Sequence, residues 1–441
     1  MELTREQQKR LKIKRYASFV IVSAAYLLVQ FHRNTTGVIR NELAETFAMS
    51  ATGFGTLSAM YFYPYMLAQI PMGALLDTIG VKRTVCVGSL VAALGSLVFG
   101  LSGSFGMACA GRLLIGVGVS VPVVCMQKLI ASWFPESRVA SWFGTSSVIG
   151  QSGGLIAQYP LAFAIDHVSW RVIFMVCCGV SLAVALLCRR FVENGPEYCG
   201  LPSMARLEGR PEPPRPKRLT ARDIFRAIGR TFANRYIWPV FIVMAVHQGL
   251  YSMFTSTWAI PYLRESFGFS NTEATGFTTG LMLGAIVFSF FVGKISDRLK
   301  SRKIVIAGIS VIILALWCVF CFTATGGLPV WLLWASMILM GVGGCGVQIM
   351  FAYSREMNDP AFVGISVSTV NVTGMLASAV MPTLLGALLD RYALEASGGA
   401  LYQKAFIPCI VMAAVAVVFS LLIRDSGCRN RYYDLIAKQE K

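Results

Sequence analysis

Acidic residues are scarce in this chain, and charge of either sign is thin. Asp and Glu number 22 among 441 residues, and charged residues make up 14% of the sequence, where soluble domains carry about 25%. With 55% of its residues hydrophobic, the chain has too much apolar surface to hide from water. None of the acidic residues falls in the middle of an apolar run. There are only three histidines, and no nucleotide-cradling loop, metal-ligand cluster or nucleophile–base arrangement is visible. That excludes an enzyme and leaves no cofactor or metal to expect. The polar, basic stretch from Met1 to Arg15 leads straight into an apolar run without a small-residue cleavage site, so no removable signal is read. The twelve cysteines lie mostly inside apolar runs. Cys318 and Cys321 have redox spacing, but their apolar flanks make them small buried hydrophobes.

What is present is a series of apolar runs, each near the roughly 20 residues that cross a bilayer as helix. Twelve can be read, near 17–39, 51–76, 84–103, 107–133, 139–165, 170–188, 236–262, 272–292, 304–325, 329–353, 361–388 and 405–423. The expected class is an all-α integral membrane protein with twelve transmembrane helices in two six-helix halves. The net charge of +17 would suggest nucleic acid in a soluble chain, but its placement excludes that partner. With the N-terminus cytoplasmic, about 31 of the 39 Lys and Arg fall on cytoplasmic segments, as the positive-inside rule requires. Both termini are then cytoplasmic and the protein belongs in a cell inner (plasma) membrane, where basic segments also meet anionic headgroups of the lipid bilayer. Residues 1–188 form an N-terminal bundle, 189–235 a cytoplasmic linker, and 236–441 a C-terminal bundle. The linker is proline-rich around Pro211–Pro216, with a short surface helix expected around Thr220–Phe232.

Two stretches 220 residues apart share one signature. Gly73-Ala-Leu-Leu-Asp77-Thr-Ile-Gly80-Val-Lys82-Arg83 is matched by Gly293-Lys-Ile-Ser-Asp297-Arg298-Leu-Lys-Ser-Arg302-Lys303. Glu45-Thr-Phe47-Ala-Met-Ser50 is echoed by Glu265-Ser-Phe267-Gly-Phe-Ser270 at the same offset. Two matches at one offset mark a duplicated half, which places function between the halves at mid-membrane depth.

The Gly-x-x-x-Asp signature with its basic residues resembles the loop motif of the major facilitator superfamily, with Thr78 and Lys300 departing from the usual pattern. Gly111-Arg112-Leu-Leu-Ile-Gly116-Val-Gly118 is similar to that superfamily's fourth-helix motif, and the glycines from Gly144 to Gly154 loosely resemble its fifth-helix motif. The resemblance spans the chain and implies the twelve-helix facilitator fold and transport by alternating access. It also implies that Asp77 and Asp297 pair with basic residues or helix ends and break that pairing as the cavity switches sides. Arg355-Glu356 is a further candidate for such a contact. A narrower likeness lies in Gln30-Phe-His32-Arg33-Asn34, which resembles the first-span arginine region of anion:cation symporters and organophosphate exchangers. Those families hold a carboxylate or phosphate there. The symporters' coupling glutamate is absent, because Val119 occupies its place.

An ionisable residue at mid-bilayer costs about 2.5–3.5 kcal/mol on insertion scales, so each needs a reason. Arg33 has the planar fork of donors that suits a carboxylate or phosphate. The bland alternatives are snorkelling or a hydrogen bond to helix carbonyls. His247, followed by Gln248, sits near the middle of the seventh run, where it either binds an anion, carries a coupling proton or bonds across helices. His32 adjoins Arg33 but projects in a different direction. Arg112 serves proton coupling or packing, and Lys128 lies where snorkelling explains it; His32, Arg112, Lys128 and Gln248 are nonetheless candidate substrate contacts. Tyr61, Tyr65, Gln348 and Asn371 are further lining candidates. With no mid-span carboxylate the cavity should be net positive. The expected function is secondary transport of a small organic anion such as a carboxylate, sugar acid or organophosphate, by symport or antiport, with a proton as the possible coupling ion. The alternatives are a carrier of zwitterions such as amino acids or small peptides, and a transporter-like membrane sensor.

Overall fold

The computed structural model describes residues 4–208, 221–359 and 363–432, with the side chains of a few further positions, Gly73 and Asp77 among them, outside the described set. The chain is helical almost throughout. In order the helices are α1 (Arg5–Val38), α2 (Arg40–Phe47), α3 (Ala51–Gly100), α4 (Phe105–Val119), α5 (Pro122–Trp133), α6 (Glu136–Ile156), α7 (Tyr159–Ile165), α8 (Trp170–Phe191) and α9 (Met204–Leu207). The second set is α10 (Ala221–Ala233), α11 (Trp238–Met253), α12 (Ala259–Phe267), α13 (Asn271–Leu299), α14 (Arg302–Phe322), α15 (Val330–Met340), α16 (Val342–Met357), α17 (Val363–Tyr392) and α18 (Gly398–Leu422). The surface helix expected near Thr220–Phe232 is α10.

Among the described residues, nine helices are long and apolar enough to cross a membrane. The other three expected runs differ for local reasons. In α1 the polar group Gln30, His32, Arg33 and Asn34 dilutes the apolar run. The run at 51–76 includes the positions outside the described set. The run at 236–262 is interrupted by a π-helical turn, Phe254–Trp258, between α11 and α12. The runs at 107–133, 139–165 and 329–353 are each two helical pieces. In the first two, Pro122 and Pro160 open the second piece and supply no backbone donor.

Serines start several helices, each accepting a bond from an otherwise unpaired N–H. Ser104 accepts from Met107, Ser301 from Ile304, and Ser270 forms a reciprocal box with Glu273. Inside α3 the chain turns at Gly80, whose φ of 79° and ψ of 169° lie outside the helical range. The equivalent position of the second repeat, Lys300, caps α13 with a φ of 50°. A lysine there accepts backbone strain that Gly80 avoids.

Two compact units emerge, residues 1–35 with 63–218 and residues 36–62 with 219–441. In the first, Phe19, Val22, Val85, Leu129, Trp133 and Cys188 belong to one buried core, while Val172, Val176, Val180 and Leu186 of α8 face outward, as suits contact with lipid. In the second, Phe254, Tyr262, Trp317, Phe320, Tyr402 and Phe406 form an aromatic cluster with edge-on and tilted contacts. All twelve cysteines are free.

Residues 36–62 join the second unit through specific polar contacts. Asp390 at the end of α17 accepts from the N–H groups of Ala51 (2.9 Å) and Thr52 (2.8 Å), capping the start of α3. Arg40 forms an ion pair with Glu265 and lies over the rings of Phe54 and Trp258. Glu265 is thus one of the two repeated Glu-Ser/Thr-Phe anchors, put to use.

Helices meet closely where side chains are absent. A Cβ on Gly153 of α6 would lie 2.0 Å from the Leu27 carbonyl oxygen of α1, whereas one on Gly179 of α8 meets nothing within 4 Å. Gly153→Ala should therefore lower the melting temperature of the purified protein, with a loss of about 1–3 kcal/mol as in other overpacked sites. Gly179→Ala should leave it unchanged or raise it slightly. Equal melting temperatures for the two variants would contradict the close approach.

Candidate functional site

In the first unit α1 carries Tyr26, Gln30 and Arg33 at i, i+4 and i+7, so they share one face. Glycines of α6 make room for that face, since a Cβ on Gly150 would sit 2.6 Å from the Tyr26 ring. The Gln30 amide donates to Gln151 Oε1 at 3.0 Å, tying α1 to α6. Tyr26 lies within electrostatic reach of both Tyr65 and Arg33. Arg33 is half-buried and Tyr65 nearly fully buried. The face presents a guanidinium, two phenols and two carboxamides, a set of donors suited to an anion's oxygens.

Another side of α1 is closed. His32 is wholly buried, its ring 5.8 Å from that of Phe174 on α8. Arg112 of α4, also buried, donates to the His32 carbonyl at 2.9 Å. Neither ring nitrogen of His32 has a hydrogen-bond partner among the described residues. The structure thus brings His32 and Arg112 together, away from the face that Arg33 shares with Tyr26. Lys128 of α5 donates to the Leu76 carbonyl at 3.1 Å.

In the second unit His247 of α11 is buried, with Nε2 2.9 Å from Ser310 Oγ. The Ser310 hydroxyl donates its one proton to the Ile306 carbonyl at 2.9 Å, so it accepts from His247. That assigns the proton to Nε2 and leaves the Nδ1 lone pair without a hydrogen-bond partner among the described residues, beside Gly346. Gln248 is buried against Gly374, and its carbonyl accepts from Ser378 at 3.4 Å. Gln348 is exposed on α16 and Asn371 half-buried on α17. Tyr61 is buried edge-on against Phe62; it falls in the second unit and Tyr65 in the first.

Two turns beyond His247 the π-helical turn widens the helix. The hydroxyls of Thr255 and Ser256 donate to the carbonyls of Tyr251 (2.8 Å) and Ser252 (2.5 Å). Such turns cluster at functional positions. Ser252, Thr255, Ser256 and Thr257, clustered in an apolar run, are the sequence signal for it.

The repeated motif residues form two anchored turns. In the second unit Arg302 spreads its fork over Glu356 (3.1 and 2.8 Å), Asp297 (2.8 Å) and Ser296 (2.9 Å). The tail after α18 closes over them. Asp425 accepts from the Ser301 hydroxyl and the Arg302 N–H, and Ser426 donates to Glu356 at 2.5 Å. Gly293 has open space around it, Arg298 and Arg355 are exposed, and Lys303 is half-buried. In the first unit Lys82 pairs with Glu193 at 3.0 Å, and its N–H donates to Asn194 at 2.9 Å. Arg83 points outward. Gly73 and Asp77 lie in α3 with side chains outside the described set. The tail residues Glu193-Asn194-Gly195 and Asp425-Ser426-Gly427 follow the sixth and twelfth apolar runs. Setting those two run-ends side by side would have revealed them.

Burial disfavours the charged form of Asp425, but donation from the Ser301 hydroxyl and from the N–H groups of Gly427, Arg302 and Lys303 outweighs it and holds the carboxyl below its usual range.

The sequence matches the family model described as Major Facilitator Superfamily over residues 22–259 and again over 240–431. It is 22% identical to the hexuronate transporter of Escherichia coli (strain K12), covering 87% of this chain and 89% of that one. It is 24% identical to the D-galactonate transporter of Escherichia coli O6:H1, covering 92% and 94%. The fold resembles a bacterial homolog of the human lysosomal transporter Spinster, in an inward-facing and unoccupied conformation, with a TM-score of 0.75 at 16% identity, covering 94% of this chain and 97% of that one.

Because its folded pKa is depressed, Asp425 contributes stability that is complete above the ordinary carboxylate value of about 4 and is lost as pH falls through the lower folded value. Hydrogen exchange of residues 296–304 should stay slow to that pH and quicken below it. Asp425→Ala should make it fast already at neutral pH, at a cost of about 1–3 kcal/mol for the donors left bare. Slow exchange in the variant would show that the tail does not hold the turn.

Proposed function

The chain belongs to the major facilitator superfamily, and from that we infer that it is a secondary transporter moving a small organic anion, a sugar acid or related carboxylate, across the membrane by alternating access. The observation that carries the substrate class is the α1 face on which Arg33 stands with Tyr26 and the Gln30–Gln151 pair. A carboxylate takes a two-point contact from a guanidinium, and sugar hydroxyls take carboxamides and phenols. The absence of any mid-span Asp or Glu from the sequence argues against cationic guests. Relatives named as hexuronate and D-galactonate transporters support the same class.

In this reading the twelve apolar runs all cross the membrane, as six-helix halves over 1–188 and 236–441 joined by 189–235. Both termini are cytoplasmic, and the membrane is the plasma membrane. The anchored turns at Lys82 and Arg302 are parts of the switching machinery. His247 carries the coupling proton on Nδ1, the nitrogen whose lone pair its surroundings leave open.

Arg33→Gln should abolish uptake of hexuronates and aldonates into proteoliposomes, with affinity falling at least 10-fold, the weight of a charge-assisted contact of about 1.5–3 kcal/mol. In thermal melts, a saturating sugar acid should raise the melting temperature of the parent but not of the variant, since a ligand at 100 times its Kd contributes about 2.7 kcal/mol. Stabilisation by amino acids or dipeptides alone would replace the anion reading with the zwitterion one. His247→Asn should keep anion binding and exchange while losing acceleration by an inward proton gradient; retained acceleration would move the proton elsewhere.

A further inference from the structure

The two edges of α10 are treated differently by the fold. One edge is anchored. Thr231 is buried with its hydroxyl 3.1 Å from that of Ser366 on α17, Arg230 pairs with Asp359 at 3.6 Å, and Asn234, just past the helix, donates to the Met357 carbonyl at 2.8 Å. The other edge is open. Phe225 is 74% exposed. Phe232, seven residues on and so only about 20° away around the helix, is also exposed, though its ring meets Trp238 at 6.1 Å and Phe241 at 5.1 Å. Trp238, at the start of α11, is half-exposed and donates to the Phe232 carbonyl at 2.9 Å. Phe225, Phe232 and Trp238 thus form an aromatic strip that runs onto the first turn of a membrane-crossing run. Arg226, one position past Phe225 and turned about 100° from it, is exposed on the polar side.

We propose that α10 is an interfacial anchor, lying in the cytoplasmic leaflet with Phe225 and Phe232 at the boundary of headgroups and acyl chains and Arg226 on the phosphates of anionic phospholipids. This rests on the reading that α11 crosses the membrane from the cytoplasmic side. Two features favour lipid over a protein partner. Residues 217–235 carry six basic side chains and one acidic one, complementary to an anionic leaflet. The strip is also continuous with Trp238, a residue type enriched where a helix enters the bilayer. An aromatic edge flanked by arginines is the arrangement of helices that lie in the interface rather than span it.

The test uses the full chain carrying Phe225→Trp, reconstituted in vesicles of equal parts phosphatidylcholine and phosphatidylglycerol. Fluorescence beyond that of the parent reports on position 225. Bromine placed near the headgroup end of the acyl chains should quench it more than bromine at the chain ends. Brominated phosphatidylglycerol should quench more than brominated phosphatidylcholine. Arg226→Gln in the same background should lower that preference about fivefold, the weight of one basic residue at an anionic surface. An introduced indole that bromine does not quench, or equal quenching by both lipids that Arg226→Gln leaves unchanged, would overturn the proposal. So would quenching that falls as protein is concentrated in the vesicles, which would assign the strip to a second copy of the chain. Sugar-acid uptake measured in the same vesicles separates the two ideas: lost uptake with intact quenching counts against the transport reading alone.

Discussion

A charge placed in hydrocarbon must bring its partner with it, and the interior of this protein is arranged around that constraint. Desolvating a guanidinium or ammonium costs several kcal/mol, so basic groups within the membrane-crossing runs or at their ends take an oxygen close at hand. Arg112 takes the His32 carbonyl, Lys128 the Leu76 carbonyl, and Arg302 two carboxylates and a hydroxyl. The first two contacts tie helices together. Arg33 differs in company: phenols and carboxamides share its face, and its side chain is only half-buried. The glycines of α6 let that face approach, so packing and chemistry are set by the same few residues.

The duplicated turns show how one requirement is met twice with different parts. Each needs an acceptor for the backbone N–H of Lys82 or Arg302, and each takes it from the chain just past a sixth helix: Asn194 in one case, Asp425 in the other. The basic side chain then finds a carboxylate, Glu193 or Glu356. The second turn is the more heavily bonded, and it is also the one that holds a lysine at positive φ. Dense hydrogen bonding around a strained residue is what keeps such a conformation populated.

The helical class, the surface helix near Thr220–Phe232 and the repeated turns were legible because they rest on local composition and on a fixed offset. Arg33 and His247 stood out for the same reason, as polar residues in apolar runs. What the chain did not disclose is direction. His32 and Arg33 are neighbours in sequence, yet one ring is sealed against Phe174 while the other side chain joins Tyr26. Tyr26 itself passed unremarked, because a tyrosine in an apolar run carries no signal until Gly150 is seen beneath it. Contacts at large sequence separation, such as Asp390 on the start of α3, obey no spacing rule at all. The break in the seventh run escaped for another reason: its only trace is a cluster of hydroxyl residues, and single hydroxyls are ordinary in membrane helices.

The extra residue in the π-helical turn gives the seventh run a property the regular helices lack. In an α-helix each carbonyl has one amide assigned to it, so any bend strips an acceptor bare. The carbonyls of Tyr251 and Ser252 already hold hydroxyl donors from Thr255 and Ser256. The segment can thus change its winding by trading an amide donor for a hydroxyl, so that its buried carbonyls keep a partner. It is a joint whose lubricant is built into its own side chains.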